Sequence, residues 1–210
     1  MSDDSTLGHK PTWLDRLGQF LQGEPKDRVE LLDILRAAES RQLIDHDAFS
    51  MIEGVLEVSE MQVRDVMVPR SQMVVIEREA ELKDILPTVI ESGHSRFPVI
   101  GESRDDIVGV LLAKDLLPYF VTNGEAPFRL DDLLRPIVVI PDSKRLDALL
   151  KEFRASRNHM AIVVDEYGGV SGLVTIEDVL EQIVGDIEDE YDYEDEDDDI
   201  KIVGPQEYTV

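Results

Sequence analysis

Apolar positions along this chain fall into short runs and periodic stripes. Val74-Val75-Ile76 and Ile137-Val138-Val139-Ile140 are strand-length runs, far short of the about 20 apolar residues that a membrane-spanning helix needs. Leu82, Ile85, Leu86, Val89 and Ile90 recur at three- and four-residue spacing, which predicts an amphipathic helix. Pro87 falls inside that stripe, so a late start or a bend is expected there. Phe97–Ile100 and Ile107–Leu111 read as strands around a polar turn, with a short helix expected near Lys114–Tyr119. Upstream, Glu30–Ala38 and Asp47–Leu56 read as helices, with Leu31, Leu35, Ala38, Ile52, Val55 and Leu56 as their apolar positions.

The pattern then occurs a second time. A shift of 64 lays Val74-Val75-Ile76 on Val138-Val139-Ile140, and Leu82, Ile85, Leu86 and Val89 on Leu146, Leu149, Leu150 and Phe153. A shift of 63 lays Phe97–Asp115 on Met160–Asp178 without a gap. Pro69 precedes the first copy and Pro136 the second. In copy two the turn between strands contains Gly168-Gly169, a hairpin signal because glycine accepts positive φ cheaply, and a helix is expected over Ile176–Gly185. Each copy therefore predicts strand, helix, strand, strand, helix. The fold class is α/β (α+β), with two β-α-β-β-α repeats related by a pseudo-twofold axis and preceded by N-terminal helices. A unit of about 60 residues buries little core alone. Two copies packed face to face would cover each other's sheets and leave symmetric clefts between them.

Composition narrows the chemistry. The chain has 210 residues, no cysteine and a formal charge of -25. The missing thiols exclude disulfides, thiolate metal sites and a Cys nucleophile, and suit a reducing cytosol. The charge opposes non-specific nucleic-acid binding, which rests on cationic contacts to phosphate. Eleven of the fourteen residues from Asp186 to Asp199 are acidic, a solvated tail or a loose site for divalent cations or a basic partner. The N-terminus has no secretory pattern. Trp13, Leu14, Leu17, Phe20 and Leu21 form a short stripe that could dock a partner or a membrane surface. Lys144, Arg145, Lys151, Arg154 and Arg157 make a basic stretch, read either as a solvated face or as a contact for phosphates, an acidic partner or RNA. His9, His46, His94 and His159 lack metal-ligand spacing, and no metal ligand set is assigned. There is no HExxH, Walker A, GxSxG or GxGxxG signature, so no enzymatic activity is expected.

Within the repeat, Ser95-Arg96-Phe97-Pro98-Val99 and Gly172-Leu173-Val174-Thr175-Ile176-Glu177-Asp178 resemble the motifs of a CBS-domain pair. Four longer segments (Val63–Met73, Gly93–Val99, Ala113–Pro118 and Asp165–Gly172) resemble the CorC magnesium and cobalt efflux family. The resemblance runs from about Glu24 to the end. The chain is accordingly divided into a mobile segment over 1–24, a helical extension over 25–62, CBS repeats over 63–125 and 126–185 and an acidic linker over 186–199, and the resemblance implies over 200–210 the start of a truncated CorC/HlyC domain. It also implies a regulatory module that binds AMP or ATP, with Mg²⁺ as a companion of the phosphates, in a homodimer that acts on magnesium and cobalt efflux as accessory or sensor. A cytoplasmic location is implied, with a position at the inner membrane and a membrane cation transporter as partner left open. The competing reading is a cytosolic scaffold factor associated with RNA or ribosomes.

The family pattern assigns the nucleotide to His94, Ser95, Arg96, Phe97, Pro98, Thr175 and Asp178. His94 would lie near the base, Phe97 and Pro98 would give apolar contact, and Arg96 would pair with phosphate. Thr175 would begin a helix whose N–H groups attract phosphate, its hydroxyl adding a hydrogen bond, and Asp178 would accept from ribose. Thr175-x-x-Asp178 is equally a capping-box sequence, and the two roles can coexist. The symmetry-related cleft would keep Asp115 and His159. In it Leu112 replaces Thr175, and Asn158-His159-Met160-Ala161 replaces Ser95-Arg96-Phe97-Pro98, so it is expected to be degenerate.

Overall fold

Asp27 starts the first helix: its carboxylate accepts the Glu30 N–H at 2.9 Å, and the Glu30 side chain accepts the Lys26 N–H at 2.8 Å. Helices α1 (Arg28–Ser40) and α2 (His46–Val58) match the two expected upstream of the repeat. The computed structural model describes residues 25–121 and 127–185 and the backbone of 201–204 and 207–209; the N-terminal stripe at Trp13 and the acidic run over 186–199 lie outside the described residues. Two compact units divide the chain, Met1–Glu53 and Gly54–Val210. Within the first, Arg36 pairs with Glu53 at 3.1 Å and sits 6.0 Å from the centre of the Phe49 ring. His46 Nδ1 lies 2.8 Å from Glu39 Oε1.

The second unit holds both repeats. Copy one runs β2 (Ile76–Glu77), α3 (Leu82–Ser92), β3 (Arg96–Ile100) and β4 (Ile107–Leu112), then a 3₁₀ turn and α4 (Leu117–Val121). Copy two runs β5 (Val138–Pro141), α5 (Leu146–Ser156), β6 (Met160–Val164), β7 (Val170–Thr175) and α6 (Ile176–Val184). Two expectations are corrected. The first strand of copy one is only Ile76–Glu77, not Val74–Ile76. Helix α3 also begins at Leu82 with Pro87 inside it, so it does not start late. Pro87 and Lys83 both lie on its exposed face, so water can satisfy the carbonyl that the missing N–H frees.

Each repeat's entry segment crosses to the other copy. Strand β1 (Val68–Pro69), ahead of copy one, pairs with β7 as Val68↔Leu173; Arg135, ahead of copy two, bridges to Val110 of β4. The sheets are therefore β1-β7-β6-β5 and β2-β3-β4, with a separate β8-β9 hairpin over Lys201–Gly204 and Glu207–Thr209. Gly109 and Gly172 sit where these entry segments press on the sheets. A Cβ on Gly109 would be 2.9 Å from the Arg135 carbonyl, and one on Gly172 would strike the Val68 carbonyl. Helix and sheet enclose a core in each copy, around Phe97, Ile85 and Leu111 in one and Leu146, Phe153 and Val174 in the other. A third cluster, with Met73, Val110, Met160, Ile162 and Leu173, lies between the sheets.

Strand pairing corrects the gapless alignment. Arg96 pairs with Leu112 and Val99 with Gly109, while Met160 pairs with Thr175 and Val163 with Gly172. Since β4 and β7 correspond at a shift of 63, Arg96 corresponds to Met160, Phe97 to Ala161 and Pro98 to Ile162, a shift of 64. The missing residue lies in the hairpin turn, 101–106 in copy one and 165–169 in copy two. A turn absorbs one residue, whereas a slip in the strand would exchange its buried and exposed faces.

Candidate functional site

Packing the two copies leaves a cleft of about 430 Å³ lined by Val68, Gln72, Met73, Val74, Gly93, His94, Ser95, Arg96, Met160, Leu173, Thr175, Glu177 and Asp178. The pseudo-twofold places a smaller cleft, about 230 Å³, against Arg96, Val110, Leu112, Lys114, Arg135, Pro136, Arg157, Asn158, His159 and Met160. Five of the seven residues expected at the nucleotide site meet in the larger cleft: His94, Ser95, Arg96, Thr175 and Asp178.

Phe97 and Pro98 are not brought to that surface. Both are buried, Phe97 fully and within the helix–sheet core of copy one. Alternation along β3 sends Arg96 to the cleft and its neighbour Phe97 to the core. His94 stays 6.2 Å from the Phe97 ring, centre to centre. The apolar wall comes instead from Val68, Met73, Val74, Met160 and Leu173, which the motif reading passed over. Val68 and Met73 were within its Val63–Met73 segment, but only the crossed pairing of β1 with β7 shows that they face the other copy.

The polar end is a complete capping box. Asp178 Oδ2 accepts the Thr175 N–H at 2.6 Å and the Thr175 hydroxyl at 2.8 Å, while Thr175 Oγ1 accepts the Asp178 N–H at 3.2 Å. The hydroxyl's one proton is thus directed to Asp178, which corrects the expectation of a further donor for phosphate. Ile176 N–H donates to the His159 carbonyl at 3.0 Å. The Glu177 N–H, between Ile176 and Asp178, has no acceptor among these groups. Glu177 and Asp178 put two carboxylates in the first turn of α6, so this end suits hydroxyl donors better than bare phosphate. Arg96, on the opposite wall, has Nη1 4.0 Å from Glu177 Oε1 and supplies the cation.

In the smaller cleft Arg135 Nη2 donates to both oxygens of Asp115, at 2.9 Å to Oδ2 and 3.3 Å to Oδ1, and Lys114, Arg157 and His159 stand on its wall. His159 Nδ1 lies 3.6 Å from Glu177 Oε1. The basic stretch of copy two divides: Lys144 pairs with Glu152 at 2.6 Å and Lys151 with Asp147 at 3.0 Å, whereas Arg157 reaches the cleft. Among the described residues no group of three or more His, Asp or Glu could hold a metal ion, and no helix is long and apolar enough to cross a membrane.

Comparison with known proteins bears on both repeats. The CBS domain family matches residues 63–122 and 130–185, and the family described as the N-terminal region of NMB0537 matches 23–58. The magnesium and cobalt efflux protein CorC of Vibrio cholerae is 56% identical over 197 residues, covering 94% of this chain and 67% of that protein. The chain thus spans about two thirds of that relative's length. Among solved structures, the CBS domain of a bacterial CNNM/CorC family Mg²⁺ transporter in complex with ATP is 48% identical, with a TM-score of 0.62, over 66% of this chain and 97% of that one. A CBS-domain pair with bound AMP from Klebsiella pneumoniae is 32% identical, with a TM-score of 0.52, over 60% of this chain and 99% of that one. With a CBS domain in each repeat and more than half of its residues shared with CorC over nearly its whole length, the chain belongs to the CorC magnesium and cobalt efflux family.

Proposed function

We propose that this chain is a regulatory CBS module that binds one adenosine nucleotide in the larger cleft and so acts on magnesium and cobalt efflux. The observation that carries the reading is the division of that cleft into three chemistries. Val68, Met73, Met160 and Leu173 offer an apolar wall for the base. Asp178, held by the capping box, keeps Oδ1 for ribose hydroxyls. Arg96 and Ser95 face the phosphates, where the guanidinium fork forms charge-assisted bonds. Bound ATP and AMP in the two solved relatives support the same ligand class.

Phosphates brought beside Glu177 need a counter-charge besides Arg96, and Mg²⁺ bound mainly through phosphate oxygens and water would supply it. Regulation follows only where the nucleotide binds two arrangements of the pair unequally. The cleft walls belong to different copies, so an occupant that holds Thr175 and Arg96 together favours one packing of the sheets. A homodimer is part of this reading.

Calorimetric titration with AMP and with ATP, with and without Mg²⁺, tests it. About one equivalent should bind, and Asp178→Asn should weaken AMP about tenfold, as loss of a charged acceptor does. Hydrogen exchange should slow on both walls of the cleft. Undiminished AMP affinity in Asp178→Asn, or no binding by the unaltered protein at millimolar nucleotide, would overturn the assignment.

A further inference from the structure

The smaller cleft is not simply an impoverished copy of the larger one. Equivalent positions follow from the structure: Gly93 and Arg157 are both left-handed caps, ending the 11-residue helices α3 and α5 with φ of 66° and 56°. Val68 and Arg135 both open an entry segment that pairs with the other copy's last strand, opposite Leu173 and Val110. Glu177 and Lys114 both stand two residues past the end of that strand. At every one of these positions the neutral or acidic residue of the larger cleft becomes a cation in the smaller one. Ser95 becomes His159 by the same correspondence.

Arg96 borders both spaces, so the smaller cleft is walled by Arg96, Lys114, Arg135 and Arg157 with His159, and no carboxylate is among its lining residues. Asp115 pairs with Arg135, and the Glu177 carboxylate stands 4.0 Å from Arg96 and 3.6 Å from His159, so the excess positive charge of the wall rests on Lys114 and Arg157. This happens in a chain of net charge -25. Drawing more cations together than the neighbouring carboxylates match is unfavourable, and Arg157 adopts φ 56°, a region that glycine fills more readily. The cationic wall is therefore complementary to a multiply charged anion. At about 230 Å³ the space falls below the range usual for drug-sized ligands, which fits a small oxyanion.

We infer that the smaller cleft is a separate site for a small phosphate-class anion of two or more charges, such as pyrophosphate or the phosphate tail of a nucleotide. Lys114 and Arg157 are its principal contacts and Arg96 its shared wall. Recognition is by charge-assisted hydrogen bonds to phosphate oxygens, with Val110, Leu112 and Met160 as the apolar floor. This goes beyond nucleotide binding in the larger cleft and does not depend on it.

The test titrates pyrophosphate, without divalent metal, into the full chain, into Lys114→Gln with Arg157→Gly, and into Thr175→Ala with Asp178→Asn. Arg157→Gly keeps the left-handed cap, and both residues of that first variant are exposed. One equivalent should bind the unaltered chain, and the first variant should bind at least about tenfold more weakly, two charge-assisted contacts being lost. The second variant should bind pyrophosphate nearly as the unaltered chain does. ATP added after AMP saturation separates the sources: a second equivalent that needs Lys114 and Arg157 identifies a nucleotide tail, and pyrophosphate binding without one identifies the free anion. Pyrophosphate that fails to bind at millimolar concentration, binds the first variant undiminished, or is lost from the second variant instead overturns the inference. AMP affinity in the same samples reports on the larger cleft independently.

Discussion

Thr175→Ala separates what the capping box contributes to the fold from what it contributes to the cleft. The substitution removes the hydroxyl that donates to Asp178 Oδ2 at 2.8 Å and accepts the Asp178 N–H at 3.2 Å. The third bond, from the Thr175 N–H to the same carboxylate oxygen at 2.6 Å, survives. Replacing a Thr N-cap by Ala costs about 1 kcal/mol, within a range of about 0.5–2. With urea slopes of about 1–3 kcal/mol per molar, that moves the unfolding midpoint down by roughly 0.3–1 M. Thr175→Ser retains both hydroxyl bonds and should unfold close to the original midpoint. In the same variants AMP affinity should fall about fivefold for Ala, the equivalent of about 1 kcal/mol from a less firmly held Asp178, and recover for Ser. Urea unfolding followed by far-UV circular dichroism, paired with calorimetric AMP titration, reads both. An unchanged midpoint in Thr175→Ala refutes the cap's role in stability. Ser falling as far as Ala refutes the hydroxyl as its cause and points to the lost methyl.

Other expectations follow from close contacts and paired charges. A Cβ on Gly54 would lie 2.6 Å from the Gln182 carbonyl oxygen and 2.9 Å from Ile183 Cα, so Gly54→Ala should cost about 1–3 kcal/mol; a calorimetric melt unchanged from the original would show that α6 yields freely. Asp105 holds two bidentate bonds from Arg70 at 2.7 Å and the Val170 N–H at 3.1 Å, and the Val170 bond first, then Arg70, lower its pKa. Its contribution is therefore present above the ordinary carboxylate range and lost as pH falls through the depressed value, so Asp105→Asn should flatten the acid limb of urea midpoints measured from pH 7 to 3. His46 has its pKa raised by the hydrogen bond to Glu39 and then by that residue's charge. Its contribution is complete below the unfolded value and disappears as pH rises through the folded one; NMR titration should show His46 returning toward ordinary behaviour in Glu39→Gln.

The repeat, its elements and their order were legible because side-chain periodicity records which face each segment buries, and Leu82–Val89 and Leu146–Phe153 do so plainly. The strand register was not, because hydrophobic residues match hydrophobic residues at a shift of 63 or 64 alike along Phe97–Ile100. Only hydrogen-bonded pairing across Arg96↔Leu112 and Met160↔Thr175 decides between them. The same gap in information placed Phe97 at the cleft: a motif names neighbours in sequence, and neighbours on a strand face opposite ways. The polar half of the cleft was readable at Thr175 and Asp178, whose spacing dictates a reciprocal cap. The apolar wall at Val68 and the cation at Arg135 were not, since the crossed entry segments that bring them to the clefts leave no local signature.

Arg96 lines both clefts. One guanidinium cannot give its full fork to two anions at once, so when both spaces are filled as proposed, each occupant weakens the other's hold. Thermodynamic reciprocity makes the factor the same in both directions. A pair built this way responds less to the amount of either solute than to their ratio, and the same nucleotide concentration would carry different meanings in a phosphate-rich cell and a phosphate-poor one.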